Sequence, residues 1–345
     1  MTVRKGERTG DVAGARAGRD RGSGRRSHSA QARPTVEFAF GAVFTSIRTI
    51  PLRAGRAETL DVSGLLHAAC GRFWVADARA AALKIYSEQG WRLRTLGREA
   101  TGLRRPVSLT PLHGRWIAAL DGSLPGVVVL DESGRALSRF PLPELDCPVQ
   151  LCNLGDRRLA VVGSGFGPGA GKLVHIYTAG GEHIESLFAE PRGERGAGRA
   201  FVAAAGEALY LGHSRCDSFW IYDVEAHSVV AFPSLTARLA RRLGSEAGFG
   251  WTLCGLFATA CGALLAAHSR GSAAREYLYD LYALDGTPVA LGLRAAQRVV
   301  GVEGPFFYAL SREPHAGTTL AVWRLESAGD ASLASPADPS SNGMR

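Results

Sequence analysis

Two strand-like markers recur six times along this chain in the same order, and that repetition limits the fold more than any other feature. One marker is a short apolar-aromatic stretch. It appears as Lys84-Ile85-Tyr86, Val128-Val129-Leu130, His175-Ile176-Tyr177, Trp220-Ile221-Tyr222, Asp280-Leu281-Tyr282 and Ala321-Val322-Trp323. Gly90, Gly134, Gly181 and Gly286 follow four of these at the turn, and the fourth repeat lacks the glycine. Successive markers are 44, 47, 45, 60 and 41 residues apart. The second marker precedes each one. It is an apolar run ending in a small or polar residue, at residues 73–77, 116–121, 159–164, 209–213, 264–268 and 306–311. Short runs rich in Val, Ile, Tyr, Phe and Trp read as strands. Four short strands in a period of about 40–50 residues make one blade of a β-propeller.

The first repeat divides into strands A at 65–69, B at 72–77, C at 83–87 and D at 91–96. The last gives 298–302, 306–310 and 319–325, and then no strand remains for position D. An unused strand at the front, residues 43–52, is expected to fill that place, so that no sheet edge is left open between the two chain ends. The fold class is therefore all-β: a six-bladed β-propeller over residues 36–327, closed by an N-terminal strand. One short helix is expected in the blade four–five link, at residues 234–244. Ser234 can cap it, Leu235, Leu239 and Leu243 share one face, and Gly244 can end it. It reads as a lid on the disc rim or as a docking helix.

One family resemblance rests on particular residues. The run Gly71-Arg72-Phe73-Trp74-Val75-Ala76-Asp77, then Leu83-Lys84-Ile85-Tyr86, Gly90 and Leu96-Gly97, resembles an NHL-type repeat, with Gly102 and Pro106-Val107 at the entry to the next. Blade one matches well, blade two in part, and the others in their apolar pattern. The Asn-His-Leu triplet that names the family is absent, with residues 80–83 near its place. The resemblance spans most of residues 60–327 and is to bacterial six-bladed propellers. Such relatives include protein-binding, RNA-binding and enzymatic members, so it implies a fold and not a function.

The net charge of +8 is unevenly placed. Residues 1–35 carry nine basic and three acidic side chains, a disordered Arg/Gly-rich arm by composition, and residues 328–345 read as a disordered polar tail. No apolar stretch is long enough to span a membrane, and the early apolar patch at Val36–Phe44 is interrupted by Glu37 and followed by Arg48, too short and broken for a signal core. The six cysteines (Cys70, Cys147, Cys152, Cys216, Cys254 and Cys261) lack metal or redox spacing and are expected as buried free thiols. With no signal segment, that favours a reducing, cytoplasmic setting.

In a blade the A–B and C–D turns share one side of the disc, and the B–C and D–A loops share the other. The A–B turns are short, and the expansions fall in the B–C and D–A set. Loop growth on one face of a rigid scaffold marks a binding surface. That set also carries most of the excess arginine, including Arg104, Arg105, Arg199 and Arg298, which makes the face positive. His213-Ser214-Arg215 and His268-Ser269-Arg270 hold equivalent positions, and Asp77 with Arg79, Asp121, and Ser311-Arg312 echo them. These residues, with Arg238 and Trp251, are the candidate binding site. The plainer reading is that Asp, Ser and His at a strand end bond the turn backbone.

Three functions remain open. The first is a non-enzymatic, monomeric binding scaffold, with no cofactor and no metal, that presents the positive face to an acidic protein segment or an anionic small molecule. The second is a lyase or hydrolase working at the mouth of the central channel. The third, nucleic-acid binding through this face and the N-terminal arm, is disfavoured because the aromatic residues fall at blade-packing positions.

Overall fold

The structure is a computed structural model that describes residues 43–53, 60–155, 157–190, 199–216, 218–234, 251–270, 276–313 and 317–326. The chain enters on β1 (Phe44–Pro51). Blade one is β2 (Val62–Ala68), β3 (Arg72–Asp77), β4 (Ala82–Tyr86) and β5 (Arg92–Leu96). Blade two is β6 (Pro106–Pro111), β7 (Ile117–Asp121), β8 (Gly126–Leu130) and β9 (Ala136–Pro141). Blade three is β10 (Leu145–Asn153), β11 (Arg158–Gly165), β12 (Lys172–Thr178) and β13 (His183–Ala189). Blade four is β14 (Ala200–Ala205), β15 (Ala208–His213), β16 (Ser218–Asp223) and β17 (Ser228–Pro233). Blade five is β18 (Thr252–Ala258), β19 (Ala263–Ser269), β20 (Tyr277–Ala283) and β21 (Pro288–Ala295). Blade six is β22 (Arg298–Glu303), β23 (Phe306–Glu313) and β24 (Gly317–Leu325), with β1 as its outer strand.

That last pairing closes the ring as the strand count requires. β1 runs antiparallel to β24, from Phe44 opposite Leu325 to Pro51 opposite Thr319. Phe44 meets Phe307 edge-on at 5.2 Å. The expected helix at 234–244 lies outside the described residues from 235 onward, as do the arm at 1–35 and the tail at 328–345. The described α-helix is elsewhere: α1 (Arg98–Thr101) sits in the link between blades one and two and ends on Gly102 in the left-handed region.

Each sheet covers both faces of its middle strands. β3 and β4 are buried almost throughout, which is why their sequences are continuous apolar runs rather than alternating ones. Six apolar clusters of described residues sit one at each blade interface. Trp74 and Ile85 meet Leu109 and Val128 between blades one and two, and Phe73 and Tyr86 meet Tyr308 and Val322 where blade six returns to blade one.

The outer strands share a device that the sequence does not show. In β1, β5, β9, β13 and β21 the register slips at Ile47, Leu93, Leu137, Ile184 and Val289, each a bulged and exposed apolar residue. A bulge disrupts a sheet edge that would otherwise pair with another chain. β17 pairs without a slip and exposes Val229 and Val230.

Candidate functional site

Four of the candidate residues close strands B at the corners of their blades, and burial decides what they do. Asp77 is fully buried. Its Oδ2 accepts from Lys84 Nζ at 2.6 Å, and its Oδ1 accepts from Ala80 N at 3.1 Å and Asp61 N at 3.4 Å. Asp121, also buried, accepts from four backbone amides: Arg104 at 2.6 Å, Arg105 at 3.2 Å, Ser123 at 2.8 Å and Leu124 at 3.2 Å. His213 Nδ1 accepts from Arg215 N at 3.2 Å. Burial, then the Arg215 charge, push the pKa of His213 below its ordinary value, with Glu190 opposing. His268 is buried with Nε2 3.4 Å from Asp280 Oδ2, close enough for attraction but outside hydrogen-bond geometry. Asp77, Asp121 and His268 are buried, and their contacts fasten the blade corners from within, although Asp121 also borders a cavity of about 300 Å³ with Leu124 and Arg139.

The fasteners follow the register. Lys84, His175 and Asp280 occupy one equivalent position on strand C of blades one, three and five, opposite Val75, Val161 and Ala266. Each faces the residue two further along strand B: Asp77, the carbonyl of Gly163 at 3.2 Å from His175 Nε2, and His268. Blade five therefore repeats the acid–base pair of blade one with the roles exchanged.

The remaining candidates stay at the surface or outside the described residues. Arg79, Arg215 and Arg270 are exposed. The Arg270 guanidinium lies over the Trp251 ring at 4.5 Å, a contact that joins two candidate residues across the fourth D–A link and the fifth B–C corner. Arg238 and the side chain of Arg312 lie outside the described residues.

A second set of residues surrounds the axis. A cavity of about 640 Å³ runs along β2, β6, β10, β14, β18 and β22. The charged side chains that line it among the described residues are Asp61, Arg105, Arg199 and Arg298. All four stand where an inner strand begins, on the face of the B–C corners and D–A links. The three arginines come from alternate blades: two, four and six.

Corner residues hold the backbone at the first two, and a tyrosine hydroxyl brackets the third. Arg105 N donates to Asp121 Oδ1, and Gly122 N donates to Arg105 O at 2.9 Å. Arg199 N donates to Ser214 Oγ at 2.8 Å, and Ser214 N returns a bond to Arg199 O at 2.8 Å. Arg298 sits between two bonds of the Tyr279 hydroxyl, which donates to Gln297 O at 2.6 Å and accepts from Val299 N at 3.0 Å. All three side chains are exposed, and none makes an ion pair among the described residues. The signal that could have singled them out is position: each occurs at the entry of strand A, two blades apart.

Three thiols share this cavity: Cys147, Cys152 and Cys254. Burial pushes Cys152 up to about 12 and raises Cys254, and the neighbouring Asp146 carboxylate raises Cys147. All three are held as thiols, the form that is not nucleophilic. None of the six cysteines is in a disulfide. Cys70, Cys147 and Cys261 are exposed, which corrects the expectation of burial, since each lies at a turn or strand entry rather than on a packed face. Among the described residues, no group of three or more His, Cys, Asp or Glu is placed to hold a metal, and no helix is long and apolar enough to cross a membrane.

No family model and no curated protein matches this sequence. Solved structures do match in fold. A putative exported protein from Bacteroides fragilis is 12% identical, with 84% of this chain and 97% of that chain covered at a TM-score of 0.58. A member of the DUF4221 family from Bacteroides vulgatus is 9% identical, covering 82% and 98% at 0.59. Virginiamycin B lyase from Staphylococcus aureus is 9% identical, covering 82% and 100% at 0.51. The exported neighbour overturns the expectation of a cytoplasmic protein, because a propeller of this build also occurs outside that compartment and cysteines outside disulfides do not decide the matter. At these identities the likeness extends to the fold alone, and in that respect the chain is similar to these six-bladed β-propellers.

Proposed function

We propose that this propeller is a non-enzymatic binding scaffold whose working surface is the positive face at the mouth of the central channel. Its partner is an acidic protein segment or an anionic small molecule. The observation that carries this reading is the placement of Arg105, Arg199 and Arg298 around one cavity, each exposed at the tip and fixed at the backbone. Guanidinium groups bind carboxylate and phosphate with paired donors, and fixed backbones lower the ordering cost of doing so. The Arg270–Trp251 pair extends the cationic surface outward.

The same residues favour binding over a lyase or hydrolase. Arginine holds an anion but does not exchange protons near neutral pH, and the thiols beside it are held protonated.

The test is titration of a glutamate-rich peptide, followed by fluorescence anisotropy at low and high salt. Reversing Arg105, Arg199 and Arg298 to Glu is expected to lower affinity at least tenfold. Reversing Arg72, exposed at the start of β3 beside the A–B turn on the opposite face, is expected to leave it unchanged. Equal binding by the triple variant overturns the reading. Tighter, steeply salt-dependent binding of an oligonucleotide that weakens when residues 1–35 are removed points instead to nucleic acid.

A further inference from the structure

The rim of the disc carries one edge that is unlike the rest. Each blade ends in an outer strand whose far side could take up another strand, and bulges and charged side chains keep such edges from pairing. β1, β5, β9, β13 and β21 have both. Each slips register, and each carries a charge, at Arg48, Arg94, Arg139, Glu185 and Arg294. β17 has neither. It pairs with β16 from Ser218 opposite Pro233 to Asp223 opposite Ser228 without a slip, and Ser228–Pro233 holds no charged residue. Val229 and Val230 are 53% and 58% exposed, and as neighbours on a strand they point to opposite sides of the sheet. Apolar surface therefore wraps this edge from both sides.

We propose that β17 pairs antiparallel with β17 of a second copy of this chain, joining two fourth blades into one sheet across a two-fold axis. Charge selects this occupant. A two-fold axis sets a strand against itself, so a charge near its middle would face its own like across the axis and destabilise the pair. β17 is the outer strand that escapes this. Antiparallel pairing also keeps Asp223 and Glu225, which precede β17 at its hairpin turn, at opposite ends of the joint, whereas parallel pairing would bring them together. A foreign strand would be chosen by pockets for its side chains, and neither the axial cavity nor the one beside Asp121 borders β17. Pro233 lacks the N–H to extend the ladder, so pairing about Val230 runs from Ser228 to Phe232. A joint that uses one surface twice closes at two copies. The pair departs from the monomer expected from the sequence, since the bulges that set β17 apart show only in the paired strands. Because β17 lies on the rim and the arginines line the axis, the pair leaves both mouths open.

Sedimentation equilibrium of the full chain, from micromolar to near-millimolar concentration, tests the pair. The mean mass is expected to rise from one chain to two and stop there. It should do so equally at low and high salt, because the joint is uncharged. Val230→Lys sets two lysines across the axis and removes apolar contact, and is expected to weaken association at least tenfold. Leu93→Lys, at an apolar residue 53% exposed on the bulged strand β5, is expected to leave it unchanged. Hydrogen exchange reads the same joint without a substitution: amides within Val229–Phe232 should exchange more slowly at the high concentration than at the low one. A chain that stays single at every concentration overturns the proposal. So does a dimer that Val230→Lys leaves intact, one that Leu93→Lys weakens as much, one that high salt dissolves, or a mass that climbs past two chains.

Discussion

At the scale of single residues, the informative groups are buried polar pairs whose meaning depends on register. Asp77 and Lys84 are both buried, so removing one leaves the other charge in a low-dielectric site. Asp77→Ala is expected to cost about 3–5 kcal/mol of stability. Lys84→Met should cost less, since Asp77 keeps the Ala80 and Asp61 amides. Urea denaturation of both variants checks the order, and equal losses would contradict it. Asp77 stood out in the sequence, but its role did not, because Lys84 becomes its partner only when β3 and β4 pair in one register.

Acid sensitivity belongs to the same scale. Burial lowers the pKa of His175 and His213 below their ordinary value of 6.5, so the unfolded chain binds protons at a higher pH than the folded one. Stability is therefore unaffected by these groups well above pH 6.5. It falls as pH drops through that value and stops falling below the folded pKa values. Thermal melts between about pH 8 and pH 5 are expected to show this loss. His175→Gln should remove part of it, and a melting curve of that variant identical in pH dependence to the parent would contradict the assignment.

At the scale of elements, the C–D turns show how one blade fits the next. Gly90 has φ +82°, and a Cβ there would lie 2.1 Å from Pro51 O in the closing strand. Gly134 repeats this against Leu96, Gly181 against Phe140 and Gly286 against Phe232, in each case the outer strand of the preceding blade. The C–D turn of blade four has no glycine, and His227 takes the positive φ instead. Gly90→Ala is expected to lower stability by about 1–3 kcal/mol through both strain and overlap. Gly304→Ala, at φ +53° with open space around it, should cost less, about 1–2 kcal/mol from strain alone. Similar melting temperatures for the two would contradict the packing account. Strands B and C were legible in the sequence because both their faces are buried. The outer strands were harder to place, because exposure dilutes their pattern and a bulge shifts it by one residue.

At the scale of the whole molecule, the ring depends on the first described strand pairing with the last. Deleting residues 1–51 uncovers the edge of β24 and the packing of Phe44 on Phe307 and Trp323. The truncated protein is expected to lose its near-ultraviolet circular dichroism or to aggregate, and a synthetic peptide of residues 43–53 should restore it. A native spectrum without the strand would contradict closure. The count of six blades and this closure could be read from the repeat. The face that carries Arg105, Arg199 and Arg298 could also be read from the repeat, but not their place around one cavity, because they are far apart in sequence and line it only when the ring closes.

Crystals of the protein soaked with selenate, an oxyanion visible by its anomalous scattering, test that mouth most directly. The expected result is an anomalous peak at the axis, within hydrogen-bond reach of the Arg105, Arg199 and Arg298 guanidiniums, that disappears in crystals of Arg199→Ala. Selenate bound only elsewhere on the surface, or at the axis equally in the variant, would contradict a binding site built by these three residues.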